Sequence, residues 1–145
     1  MSSLTLEQAQ AIVTTALRHG TEQKLQPLAV AVLDARGALK AFAAQDGTSL
    51  RRAEIATGKA YGALSFGIGS RSLAKRAATT PHFIAAVTHA VGGMLVPVPG
   101  GVLIRAADKE VIGAVGISGD TSDNDEAAAI AGITAAGLSA DPGEN

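Results

Sequence analysis

Three histidines, one lysine set among small residues and a glycine stretch that runs into acids are the positions in this sequence with chemistry to offer. His19, His82 and His89 are the imidazoles available to a metal or a haem iron. His82 and His89 stand seven residues apart on one predicted helix. They share a face but lie roughly 10 Å apart along the axis, too far to hold one metal together. His19 falls in the last turn of a helix, where a cation also suits the helix dipole. The chain contains no cysteine, which removes disulfides, thiolate ligands, thiol nucleophiles and covalent haem attachment.

Lys59 could act as an acid, base or nucleophile if burial lowered its pKa. Its bland alternative is to snorkel out of a sheet-facing side. Tyr61, two residues on, is either a partner in that chemistry or a packed ring with its hydroxyl satisfied at an edge. Gly67-Ile-Gly-Ser-Arg-Ser72, followed by Lys75 and Arg76, suits an anion, because helix-start N–H groups and cations converge there. It matches no P-loop, and no strand precedes it as a dinucleotide fingerprint requires. A capped, solvated helix start explains the same residues.

Ile112-Gly-Ala-Val-Gly-Ile-Ser118-Gly119 is a small and β-branched run leading into Asp120, Asp123, Asp125 and Glu126. Glycines there let main chain or ligand approach closely, so Ser118 and Gly119 are candidates for ligand contact. The acids offer oxygens to calcium or magnesium but match no metal pattern. Ser122 or Asp123 as N-cap, with Asp125 and Glu126 in the first turn, accounts for them through capping. Ser118 has the wrong glycine spacing for a nucleophile elbow.

These residues need elements to position them. Thr5 with Gln8 reads as a capping box, and apolar residues at 6, 9, 12, 13, 16 and 17 carry a helix to Gly20. Leu28–Leu33 and Ala38–Ala44, joined by Asp34-Ala-Arg-Gly37, read as a β-hairpin. A helix over about 49–65 follows, then a short one capped by Ser70 and another opened by Thr80-Pro81. Met94–Val98, Val102–Ala106 and Glu110–Ser118 read as strands whose short turns demand antiparallel pairing. An Ala-rich helix over about 123–138 completes an α+β domain with a five-stranded sheet. One domain over residues 1–145 is expected, with 1–3 and 140–145 loose.

The composition sets bounds on partners. A chain of 145 residues buries roughly 68% of its unfolded surface, enough for one core. A net charge of −1 gives no field for nucleic acid or an anionic membrane. Without a signal-like start or an apolar run of spanning length, a cytoplasmic protein is expected.

Taken in order, Leu4-Thr-Leu, Pro27-Leu-Ala-Val-Ala-Val-Leu-Asp34, Lys59-Ala-Tyr61, Val96-Pro-Val-Pro-Gly-Gly101 and Ile112-Gly-Ala-Val-Gly-Ile-Ser-Gly119 with Asp125-Glu126 resemble the GlcG/HbpS-like family. That family of haem-degrading or haem-binding domains is related to the C-terminal part of PduO-type proteins. The resemblance covers almost the whole chain, and the order of the pieces is more specific than any one of them. It implies a profilin-like five-stranded antiparallel sheet flanked by helices, a homo-oligomer, and haem or another tetrapyrrole bound in some members.

Three functions follow. The first is a small-ligand-binding protein of the haem type, its pocket lined by segments 94–101 and 112–119 and the helix bearing Lys59. There His19, His82 or His89 would ligate iron, and Arg71 and Lys75 would meet propionates. Aromatics make up only 3% of the chain, which favours a haem held between subunits. The second is an enzyme acting on a small carboxylate, with Lys59 as acid or base and Arg71, Lys75 and Arg76 as anchor. The third is a scaffold subunit whose Ala/Gly faces serve assembly, favoured if no cleft joins the glycine segments.

Overall fold

The computed structural model describes residues 2–145. The elements in chain order are α1 (Leu6–Glu22), β1 (Ala29–Asp34), β2 (Leu39–Ala44), α2 (Arg52–Phe66), α3 (Ser70–Thr79), α4 (Pro81–Ala90), β3 (Gly101–Arg105), β4 (Val111–Ser118), α5 (Ser122–Ala135) and β5 (Ser139–Asp141). The five strands form one sheet in the order β2-β1-β4-β3-β5, every neighbouring pair antiparallel. This is the α+β, profilin-like architecture expected.

Strand alternation divides the residues between two layers. Val30, Val32, Val102, Ile104, Val115 and Ile117 point to one face and pack with Ile12, Ala16, Ala128 and Ile133 of α1 and α5. Ala29, Ala31, Leu33, Leu103 and Ala114 point to the other and meet Ala56, Ala60 and Ala63 of α2. The first layer is filled by branched side chains. The second is so thin that α2 lies almost backbone to backbone on the sheet. A Cβ at Gly116 would stand 1.8 Å from the Ala56 carbonyl oxygen, and one at Gly101 would stand 2.2 Å from that of Lys59.

The capping box of α1 is present, Thr5 and Gln8 exchanging bonds of 3.0 Å. Other local expectations are corrected. Met94–Val98 is a loop rather than a strand: Pro97 and Pro99 have no N–H for a ladder, and the Val96 N–H instead reaches the Gly58 carbonyl. The fifth strand is β5, which includes Ala140 and Asp141 of the tail expected to be loose. Beyond it the Pro142 carbonyl accepts from the Arg71 N–H, and Ser72 Oγ accepts from the Glu144 N–H at 2.8 Å. Gly69 rather than Ser70 caps α3. Ser70 is fully buried and accepts from the Gly101 N–H at 2.7 Å, fastening α3 to the start of β3. Thr121, not Ser122 or Asp123, caps α5.

Candidate functional site

Lys59 does not snorkel. Its ammonium donates to the Ile117 carbonyl at 2.8 Å and to Asp125 Oδ2 at 3.1 Å, and both residues of the pair are about 98–99% buried. The other Asp125 oxygen accepts from the Asp120 N–H at 2.9 Å. The pair joins α2, the end of β4 and the start of α5 at one point. Burial lowers the Lys59 pKa, with Asp125 opposing the shift, and burial raises that of Asp125 against the pull of Lys59. Gly100, at φ 122°, passes so close that a Cβ there would lie 2.8 Å from the Lys59 nitrogen. Space between the glycine segments 94–101 and 112–119 and α2 is thus occupied by packed backbone and this ion pair. No cleft joins them at Gly100, Gly101 or Gly116.

At the end of β4, the buried Ser118 hydroxyl accepts from Arg52 Nη1 at 3.0 Å. Arg52 opens α2 and lines a hollow of about 280 Å³ with Gln26, Pro27, Gly47, Ser49 and Gly119. Ser118 and Gly119 were legible as candidates, whereas Arg52 was not. Asp120 borders the same region, accepting from the Gln26 N–H at 2.8 Å, the Thr121 N–H at 2.8 Å and Asn124 Nδ2 at 2.7 Å.

These bonds, that from Asn124 foremost, hold the Asp120 pKa below the usual carboxylate range. The folded state therefore binds this proton more weakly than the unfolded chain. The resulting stability is complete above the ordinary aspartate pKa and is lost as pH falls through the lower folded value. Asp120→Asn is expected to flatten the acid limb of the stability profile, as read from melts between about pH 2 and about pH 7. An unchanged acid limb would show that Asp120 does not contribute to it.

The segment from Gly67 to Lys75 meets anions of the chain's own. Arg71 holds Glu126 through two bonds of 2.9 Å, also bonds Asp123, and donates to Asn145 Oδ1 at 2.9 Å. Lys75 donates to the Asn145 carbonyl at 3.1 Å. An anion reaching Arg71 would have to displace these groups. Asp125 and Glu126, expected to serve as capping acids, are each bound to a cation instead. Among the described residues no group of three His, Cys, Asp or Glu side chains is placed to hold a metal.

His82 and His89 are exposed on α4, and His19 is half-buried in the last turn of α1. Tyr61 is half-buried, its ring over Gly37, at a hollow of about 160 Å³ shared with Ala35, Arg36, Leu64 and Ser65. Lys59 and Tyr61 leave α2 in different directions, as residues two apart on a helix must.

A further feature has no marker in the sequence. Between α1 and β2 runs an open trough. One stretch, about 460 Å³, is lined by Leu6, Gln10, Val13, Thr14, Lys40, Ala41 and Phe42. The other, about 590 Å³, is lined by Thr21, Leu25, Pro27, Ala44, Gln45 and Asp46. Beside it Leu6, Leu39 and Phe42 are 51%, 59% and 40% exposed, and β2 is an edge strand. Such an edge leaves the outer backbone groups of six residues unpaired beside exposed apolar side chains. His19 lies nine residues beyond Gln10, two and a half turns, and so on the opposite side of α1.

Residues 4–134 match the family described as haem-degrading protein, HbpS-like. The chain belongs to that family. Crystal structures of similar fold accompany the HbpS-like match. The PduOC:haem complex has a TM-score of 0.84 at 22% identity, covering 94% of this chain and 97% of that one. The Klebsiella pneumoniae protein ORFY gives 0.84 at 22% identity, covering 94% and 92%. HbpS itself gives 0.80 at 27% identity, covering 93% and 91%. No curated protein is a significant match. In this HbpS-like chain no described helix is long and apolar enough to cross a membrane.

Proposed function

We propose that this HbpS-like protein binds haem or a related tetrapyrrole in the trough between α1 and β2, enclosed there by a second copy of the chain, in the cytoplasm. The observation that carries this reading is the trough itself, an open face with Leu6, Val13, Ala41 and Phe42 for a flat apolar ring and Lys40 for a propionate. Family membership and the solved haem complex of a structural relative support the ligand class. An open trough leaves one side of a planar ligand in water, and a second copy laid along the β2 edge would cover it. His19 points away from this face, and His82 and His89 lie on α4, which packs on α3 rather than on α1 or β2, so the histidine ligand is drawn from that second copy. The Lys59–Asp125 pair positions the end of β4 in this reading rather than acting as acid or base.

Titrating the protein with haem, followed by absorbance and by subunit mass in the same samples, tests the proposal. A saturable Soret shift at fixed stoichiometry, with the spectrum altered by one of His19→Ala, His82→Ala or His89→Ala, is the expected result. Linear uptake without saturation would overturn it, and unchanged spectra in all three variants would remove histidine as the ligand.

A further inference from the structure

We infer that the hollow at Arg52 is a binding site for a carboxylate group. Arg36, Arg51, Arg71 and Arg105 each have a carboxylate within 4 Å, whereas Arg18, Arg52 and Arg76, among the described residues, have none, and of these three Arg52 alone is not exposed. Its one side-chain bond, to Ser118, fixes the guanidinium against a fully buried hydroxyl and leaves most of its five donors unused. The guanidinium thus stands half-buried, held in place and without a counter-charge, in the wall of a hollow of about 280 Å³.

The rest of that wall suits a small polar guest. Gln26 and Ser49 bring polar groups, and Gly47 and Gly119, at φ 85° and 154°, bring bare backbone. A Cβ at Gly119 would stand 2.1 Å from the Pro27 carbonyl oxygen, so this wall has been kept free of side chain. Asp120, which touches the hollow through Gln26, has its oxygens turned to Gln26, Thr121 and Asn124. Arg–carboxylate pairing is planar and bidentate, which a guanidinium with free parallel donors is shaped to accept.

The volume fits an acid of a few carbons and excludes a porphyrin. Pro27 lines both this hollow and the larger stretch of the trough. The carboxylate can therefore come from a free small acid or, for a ring that extends to the Pro27 end of the trough, from a propionate arm. Only the second source rests on the haem reading.

Succinate serves as the free-acid probe, titrated at constant ionic strength against backbone amide signals. Haem and haem dimethyl ester, whose propionates are blocked, serve as the ring probes. Succinate is expected to move the signals of Gly47, Ser49 and Gly119, and Arg52→Gln to weaken its binding by at least about tenfold. Arg52→Lys, which keeps the charge and loses the fork, should fall between. If succinate is bound through Arg52 and haem is indifferent to both Arg52→Gln and esterification, the guest is a free acid. If haem affinity falls on esterification and falls alike in Arg52→Gln, the guest is the propionate. Succinate binding without any haem binding would uphold this site and sink the haem reading. Haem and succinate affinities both unaltered by Arg52→Gln, in a variant with wild-type melting, would overturn the site and leave the haem reading standing.

Discussion

Asp125→Ala is expected to lower the unfolding free energy by about 3–5 kcal/mol, because it leaves the Lys59 ammonium buried without its counter-charge. The Asp120 N–H loses its acceptor at the same time. Against a typical domain stability of about 5–15 kcal/mol, such a change is a large fraction of the whole. Lys59→Met should cost a similar amount, since it leaves the carboxylate unpaired at 1% exposure. The pair itself is another matter. Burial pushes Lys59 towards its proton-free form and Asp125 towards its proton-bound form, so each charge alone opposes folding at neutral pH. Lys59→Met with Asp125→Leu should therefore recover most of what either single change loses. Urea unfolding of the four proteins at constant slope reads the result. Losses under about 1 kcal/mol in the singles, or a double that is simply additive, would contradict the buried-pair account.

Gly116→Ala is expected to be as damaging, by about 3 kcal/mol or more, for a reason of geometry alone. The added Cβ would fall 1.8 Å from the Ala56 carbonyl oxygen and 2.9 Å from the Ala60 nitrogen, both backbone atoms of α2. No rotamer relieves such a contact, so the helix must lift from the sheet along Ala56, Ala60 and Ala63. Gly62→Ala, on the same helix, is the control. Its Cβ would meet Leu95 Cγ at 3.1 Å and Leu95 Cα at 3.4 Å, contacts in the loop before β3 that need only a small shift, while the helix gains about 0.5–1 kcal/mol from losing a glycine. A near-neutral Gly62→Ala beside a severely destabilised Gly116→Ala is the result expected from thermal melts. Equal effects would mean that the close approach at Gly116 does not govern the packing.

Much of the scaffold was legible because its signals are local. Thr5 with Gln8 and the apolar spacing of Ala9, Ile12, Val13 and Ala16 define α1 within a few residues of chain, and β1, β2 and β4 likewise declare themselves by alternation or by short turns. Met94–Val98 has the apolar content of a strand, but Pro97 and Pro99 lack the N–H donors that a ladder needs. β5 gave no signal, being three residues held by β3 rather than by any pattern of their own.

The side-chain bonds of the site were harder to see. Lys59–Asp125 and Arg52–Ser118 each span 66 positions, and Arg71–Glu126 spans 55. Pairings at that separation depend on the sheet order, which the sequence analysis did not determine. One signal was available for Lys59. It stands three residues after Ala56 and four before Ala63, on the face that the small residues mark for contact with the sheet. The snorkelling alternative was therefore the weaker of the two readings. The trough had no such marker, because a groove between a helix and an edge strand exists only once both are placed.

Hydrogen–deuterium exchange of the backbone, compared without and with one equivalent of haem per chain, tests the central claim most directly. The account predicts slowed exchange over β2 (Leu39–Ala44) and in the stretch of α1 from Leu6 to Thr21, where a ring and a second copy would cover the trough. Slowed exchange confined to α3 and α4 around His82 and His89, with β2 unchanged, would contradict it.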